Sequence, residues 1–195
     1  IEFVRNGGFE QYNDEDKQPD AWDVKALDGG DKIKCNKILE DGTVKTKAYS
    51  GECAYQFKGA VGANPRIQQK VTDADFIVPG DTLDLSLWVK AKASAANIAV
   101  AKIVVTYNTI DAETGKPNKD KRTLRVPEIP SGEYEPLNTS LNITDGVNSL
   151  KVQLRYRGSS GKVFLDNVSV ILPVNSGTPL DTLIPLPEAP DTFRR

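Results

Sequence analysis

The chain contains no histidine. Without an imidazole there is no Ser-His-Asp or Cys-His relay, and no His-ligated zinc or haem. Carboxylates are plentiful, 27 in all, so a two-carboxylate hydrolytic pair is open by count. No local spacing singles one out. The acidic runs at 14–16, 28–31 and 73–75 sit among turn residues and read as solvated loops. Asp14-Glu-Asp16 lacks the spacing of an EF-hand loop. The residue types best arranged for chemistry are suited to binding. Trp88 shares one face of an alternating segment with Asp84, Ser86 and Lys90. A second alternating segment presents Gln153, Arg155 and Arg157, and Gln68 and Lys70 are placed to join them. A flat ring matches the C–H face of a pyranose, and amides, guanidiniums and carboxylates fix hydroxyls. If these faces coincide, they form one polar sheet surface carrying an exposed tryptophan.

Strands must position these groups. Leu83, Leu85, Leu87 and Val89 alternate with the Trp88 face, and Leu150, Val152, Leu154 and Tyr156 alternate with the Arg155 face. This period of two predicts half-buried β-strands. Further strands are expected at 22–27, 32–39, 44–49, 53–58, 66–72, 97–108, 121–126, 134–143 and 162–172. Turn signals such as Asp41-Gly42, Pro79-Gly80 and Asp145-Gly146 punctuate them. No segment has sustained helical periodicity. About a dozen short strands, each with one apolar face, predict an all-β fold of two packed antiparallel sheets. Trp22 reads as a structural ring, and Tyr49, Tyr55, Phe57 and Phe164 as core.

The chain of 195 residues is large enough to bury a core without metals. The net charge is −2. The linear sequence shows no basic stripe and no nucleic-acid motif, so no nucleic-acid partner is expected. No apolar run reaches the ~20 residues of a membrane span. There is no Met, so Ile1 is not an initiator residue, and removal of a secretory leader is the natural expectation. Cys35 and Cys53 are the only cysteines. They point to one disulfide in an oxidising compartment, the alternative being two free buried thiols. Beyond Leu172 the composition turns proline-rich, which excludes a helix or central strand. Residues 1–172 therefore read as the domain, and 173–195 as an extended arm or linker on its own domain or a neighbour's.

Three features line up in order along the chain. Asn6-Gly-Gly-Phe-Glu10 is followed by Pro19-Asp-Ala-Trp22. Ala48-Tyr-Ser-Gly-Glu-Cys-Ala-Tyr-Gln-Phe57 precedes Leu85-Ser-Leu-Trp-Val-Lys-Ala91. Gly161-Lys-Val-Phe-Leu-Asp-Asn-Val-Ser-Val170 closes the set. Over residues 3–172 this resembles the carbohydrate-binding-module superfamily of types 4, 9 and 22, galactose-binding-like jelly rolls of secreted proteins. The resemblance implies a jelly-roll β-sandwich and a structural Ca²⁺. Its implied ligands are Glu10, Asp166 and backbone carbonyls around Gly8 and from Ser50 to Glu52. Hard oxygen donors and glycine-exposed carbonyls suit that ion.

Two functions follow as expectations. One is a non-catalytic, secreted or cell-surface domain that binds a polysaccharide or surface glycan. The other is a structural subunit of an extracellular filament or adhesive assembly, copies being linked through residues 173–195.

Overall fold

The structure, a computed structural model, describes residues 1–27, 30–72 and 74–173. Among the described residues twelve strands run in chain order. They are β1 (Asp23–Lys25), β2 (Lys32–Cys35), β3 (Lys37–Ile38), β4 (Val44–Lys45), β5 (Cys53–Lys58) and β6 (Arg66–Val71). β7 (Thr82–Lys90), β8 (Ala99–Ile110), β9 (Pro117–Arg125), β10 (Tyr134–Asn142), β11 (Val147–Arg155) and β12 (Lys162–Ile171) follow. Between β7 and β8, Ala93–Ala95 forms one 3-10 turn. The first sheet is ordered β1-β6-β11-β8-β9 and the second β10-β7-β12-β5-β2; β3 and β4 form a separate hairpin. All the pairings are antiparallel.

The core lies between the two large sheets. Leu83, Leu85, Leu87 and Val89 of β7 are buried, and the residues between them are half-buried. Leu150, Val152 and Leu154 of β11 and Ile103 and Val105 of β8 are buried opposite. Alternation thus placed the inward faces correctly. At β12 the alternation breaks. Its register with β7 shifts between Asp166 and Ser169, and Asn167 there takes a φ of 47°. Leu165 faces inward and Asp166 outward as alternation requires, and the extra residue then brings Val168 and Val170 back to the core in place of Asn167 and Ser169.

The N-terminal segment is stitched along β12. The Ile1 ammonium donates to the Leu172 carbonyl, Phe3 N–H to Val170, and Val168 N–H to Gly7. Gly7 is required here, because a Cβ would lie 1.9 Å from the Val168 carbonyl oxygen. The turn then drives Phe9 into the core, fully buried against Trp22 and Tyr55 with ring centroids 5.7 Å away in each case. Trp22 is the structural ring expected of it, its indole N–H donating to the Asn6 carbonyl.

Cys35 and Cys53 face each other across the β2–β5 pair and are joined as a disulfide. The bridge fixes an edge strand to the sheet and closes a loop spanning a sequence separation of 18. Replacing both cysteines with serine is expected to lower stability by about 3 kcal/mol. Urea unfolding of the double variant checks this; an unchanged midpoint would remove the bridge from any stabilising role.

Candidate functional site

Three surfaces carry the residues singled out by sequence. The first is a clasp between the two ends of the domain. Asp166 is fully buried, and one of its oxygens accepts the N–H groups of Tyr49 and Ser50, at 2.8 and 3.1 Å. The other accepts the N–H of Asn167. Glu10 accepts the N–H groups of Glu52 and Cys53 through Oε1, at 2.9 and 3.1 Å. Gly51, at a φ of 63°, lies between these two pairs of donors, and a Cβ on it would run into the Glu10 carboxylate. Burial pushes the Asp166 carboxyl above its ordinary value. The three N–H donors oppose that shift, and the Glu10 charge adds to it.

The donor set suits a hard cation in part. Two carboxylates interact unfavourably, and among the described residues no ion pair reaches either. The Asn167 amide oxygen and the bare Gly8 backbone adjoin Asp166. The loop contributes differently from what the resemblance implies. Glu52 turns its N–H toward Glu10, and the carbonyls of Gly51 and Glu52 accept from Asn36. Among the described residues no group of three or more acidic or thiol side chains forms a metal site.

The second surface is the outer face of the second sheet. Trp88 lies there with Asp84, Ser86 and Lys90, as alternation required. The loop that Asp166 holds folds back over this face. Tyr49 stacks on Trp88 with centroids 3.6 Å apart and planes 12° apart, and Tyr134 meets Tyr49 edge-on. Tyr49 is therefore exposed, at 42%, and Phe164 is half-buried on the outer face. Neither is the core residue that the sequence suggested. Ala54 of β5 is also fully buried, on a face where polar residues would be expected. Asp84 sits further along β7, accepting the Ser140 hydroxyl.

The third surface is the outer face of the first sheet. Gln153 and Arg155 lie here, on the opposite sheet from Trp88 and Asp84. The two candidate faces do not coincide, because β7 and β11 belong to different layers. Gln68 and Lys70 do join the Gln153 face. Register places Arg155 opposite Arg66, Gln153 opposite Gln68 and Lys151 opposite Lys70. The Gln153 amide donates to Gln68 at 3.3 Å. Lys102 on β8 lies next to Gln153 on the other side. Arg157, just past β11, donates to Asn64 at the rim. Desolvation first, then the charges of Arg155, Lys151, Lys121 and Arg157, hold the Lys102 ammonium below its ordinary value. A basic stripe therefore exists, contrary to the linear reading. It is assembled from separate strands, so no sequence window reveals it.

No protein-family model and no curated protein matches the chain. Solved structures do. The enzymatically active domain of tailspike protein 4 from bacteriophage CBA120 aligns over 89% of this chain and 22% of its own, at 16% identity and a TM-score of 0.58. A cyclase from Fischerella sp. TAU, in complex with 4-(1H-indol-3-yl)butan-2-one, aligns over 88% and 96%, at 12% identity and a TM-score of 0.56. A family 61 carbohydrate-binding module, in complex with β-1,4-galactotriose, aligns over 89% and 99%, at 14% identity and a TM-score of 0.49. The fold is a jelly-roll β-sandwich. The chain spans about a fifth of the tailspike domain. A cyclase shares the architecture, so the architecture alone does not select a function. The choice falls to the surfaces.

The clasp gives a direct test. Asp166→Asn would aim an amide NH₂ at backbone N–H donors and leave buried donors unpaired. A loss of about 1–3 kcal/mol is expected, read by thermal or urea unfolding. Unchanged stability would show that the clasp does not hold the loop.

Proposed function

We propose that this chain is a non-catalytic glycan-binding domain of an extracellular or cell-surface protein, and that its platform is the outer face of the first sheet. The observation that carries this reading is the half-buried Gln68, held by the amide of the buried Gln153 and flanked by Arg66 with Arg155 and Lys70 with Lys151. Like charges placed directly opposite each other destabilise a sheet. Their retention, with an amide pair between them, fits a surface kept for a ligand rich in hydroxyl or acidic groups. No aromatic ring from β1, β6, β8, β9 or β11 stands on this face; Tyr107 of β8 is buried. Binding there rests on hydrogen bonds and charge. The ordered motifs of the sequence point to the same class, and the disulfide is compatible with an oxidising compartment. The arm proposed to link copies, 173–195, lies outside the described residues except for Pro173, so no structural observation favours the filament reading.

Native gels cast with a panel of polysaccharides test the platform. The wild-type chain should be retarded by at least one, and Gln153→Ala with Arg155→Ala should abolish the retardation. Absence of retardation on every polysaccharide would sink the proposal, as would retardation indifferent to these substitutions.

Calcium belongs to the same reading as a staple, with Glu10 and Asp166 as its charged ligands. The bound ion would neutralise the pair and add nothing to catalysis. At a concentration of about 100 times Kd, Ca²⁺ should raise stability by about 2.7 kcal/mol, seen as a higher Tm than in a chelator. Glu10→Gln should remove most of that increment. A Tm indifferent to both calcium and chelator would exclude the site.

A further inference from the structure

The second sheet has a feature that the proposed platform does not use. An open pocket of about 550 Å³ lies on its outer side, beyond the Tyr49–Trp88 stack, and it is lined by seven lysines and no carboxylate. Lys32 and Lys34 project from β2, two residues apart and so on one face. Lys37 and Lys45 stand directly opposite each other in the β3–β4 hairpin. Lys47 comes from the loop held by the clasp, and Lys162 from the start of β12. Lys17 completes the set and is the one with a carboxylate partner among the described residues, Asp14 at 2.6 Å.

The fold holds these groups together against their repulsion. The disulfide anchors the end of β2. The Asn36 side chain accepts the N–H groups of Lys47 and Ala48, at 2.6 and 3.2 Å, and the Tyr134 hydroxyl donates to the Lys47 carbonyl at 2.5 Å. The loop cannot swing Lys47 away without losing these bonds. Desolvation, followed by the charges of neighbouring lysines, holds the Lys34 and Lys47 ammoniums below their ordinary value. Six of the seven ammoniums have no carboxylate at ion-pair distance among the described residues, and an anion from outside completes them.

The chemistry of the lining narrows the anion. Every cation is a lysine, a point charge that suits sulfate or carboxylate groups without the planar fork of arginine. Tyr12 is the one aromatic residue of the lining, and Lys17 already sits over its ring at 4.9 Å, so the pocket offers little ring surface for bases to stack on. The volume lies within the range of about 300–1,000 Å³ found for ligand pockets. We infer that this pocket is a second ligand site, on the opposite sheet from the proposed platform, and that it binds an acidic polysaccharide through its lysines.

The test uses the full chain with polygalacturonate, dextran sulfate, uncharged dextran and a single-stranded oligothymidylate, at about 50 mM salt and above. The two acidic polysaccharides should bind, and binding should weaken as salt rises, because counterions are released on association. Combining Lys32→Gln, Lys34→Gln and Lys162→Gln should weaken them at least about tenfold and flatten the salt dependence. The melting temperature of this variant should be unchanged or higher, since repulsion is removed. Arg155→Ala should leave the pocket's share of binding intact. Acidic binding unchanged in the triple lysine variant but lost in Arg155→Ala would overturn the pocket while supporting the platform. Tighter binding of oligothymidylate than of either polysaccharide would overturn the ligand class. No acidic polymer bound at low salt would overturn the site itself, whatever neutral glycans the platform retains.

Discussion

Glu10 and Asp166 come from opposite ends of the domain and reach the same five residues of chain. Four consecutive-side N–H groups, those of Tyr49, Ser50, Glu52 and Cys53, are consumed by the two carboxylates. Backbone N–H groups in a loop have no ladder to satisfy them, and leaving them unpaired away from water is costly. The carboxylates solve that problem, and in doing so they decide where the loop lies. With the loop fixed, Tyr49 falls on Trp88 and Lys47 falls at the rim of the lysine pocket. The N-terminal segment is fixed by the same bonds, with Phe9 beside Glu10 seated in the core. One local arrangement thus closes the sandwich, roofs part of one sheet and shapes the site beside it.

The two outer faces have different consequences. On the second sheet the loop covers Trp88 and Asp166 and leaves an open cationic pocket at the side. On the first sheet Gln68, Arg66, Lys151 and Arg155 are half-buried and Lys70 exposed, while Gln153 is buried among them. Both faces gather positive charge, although the chain as a whole carries a net charge of −2. Only two ion pairs occur among the described residues, Lys17 with Asp14 and Lys90 with Glu133. Most lysines and arginines of the faces therefore remain uncompensated by the protein, which is the electrostatic condition for attracting an acidic polymer.

Much of the architecture was legible along the chain. The strand at 53–58 is read residue for residue, and the inward sets of β7 and β11 follow from alternation. The pair Cys35 and Cys53 was legible from composition. Other features were hidden for identifiable reasons. Tyr49 and Phe164 were taken for core because aromatic rings usually are, yet one tops a stack and the other lies beneath a lysine. The bulge at Asn167 brings Val168 and Val170 inward in place of Asn167 and Ser169, and a period of two cannot anticipate an extra residue.

By itself, the sequence determined the β-strands, the side of each that faces inward, and the kinds of group left outside. Period, turn chemistry and residue type are local properties, and they act before the strands find partners. Tertiary structure alone decided which outer faces share a sheet. Trp88 and Arg155 look equivalent in their strands, but pairing order puts β7 and β11 in different layers. It also decided where charge accumulates, because lysines scattered from 17 to 162 meet only when β2, β12, the hairpin and the clasped loop converge. Proximity between distant residues is set by strand order and register, and neither is written in any one segment.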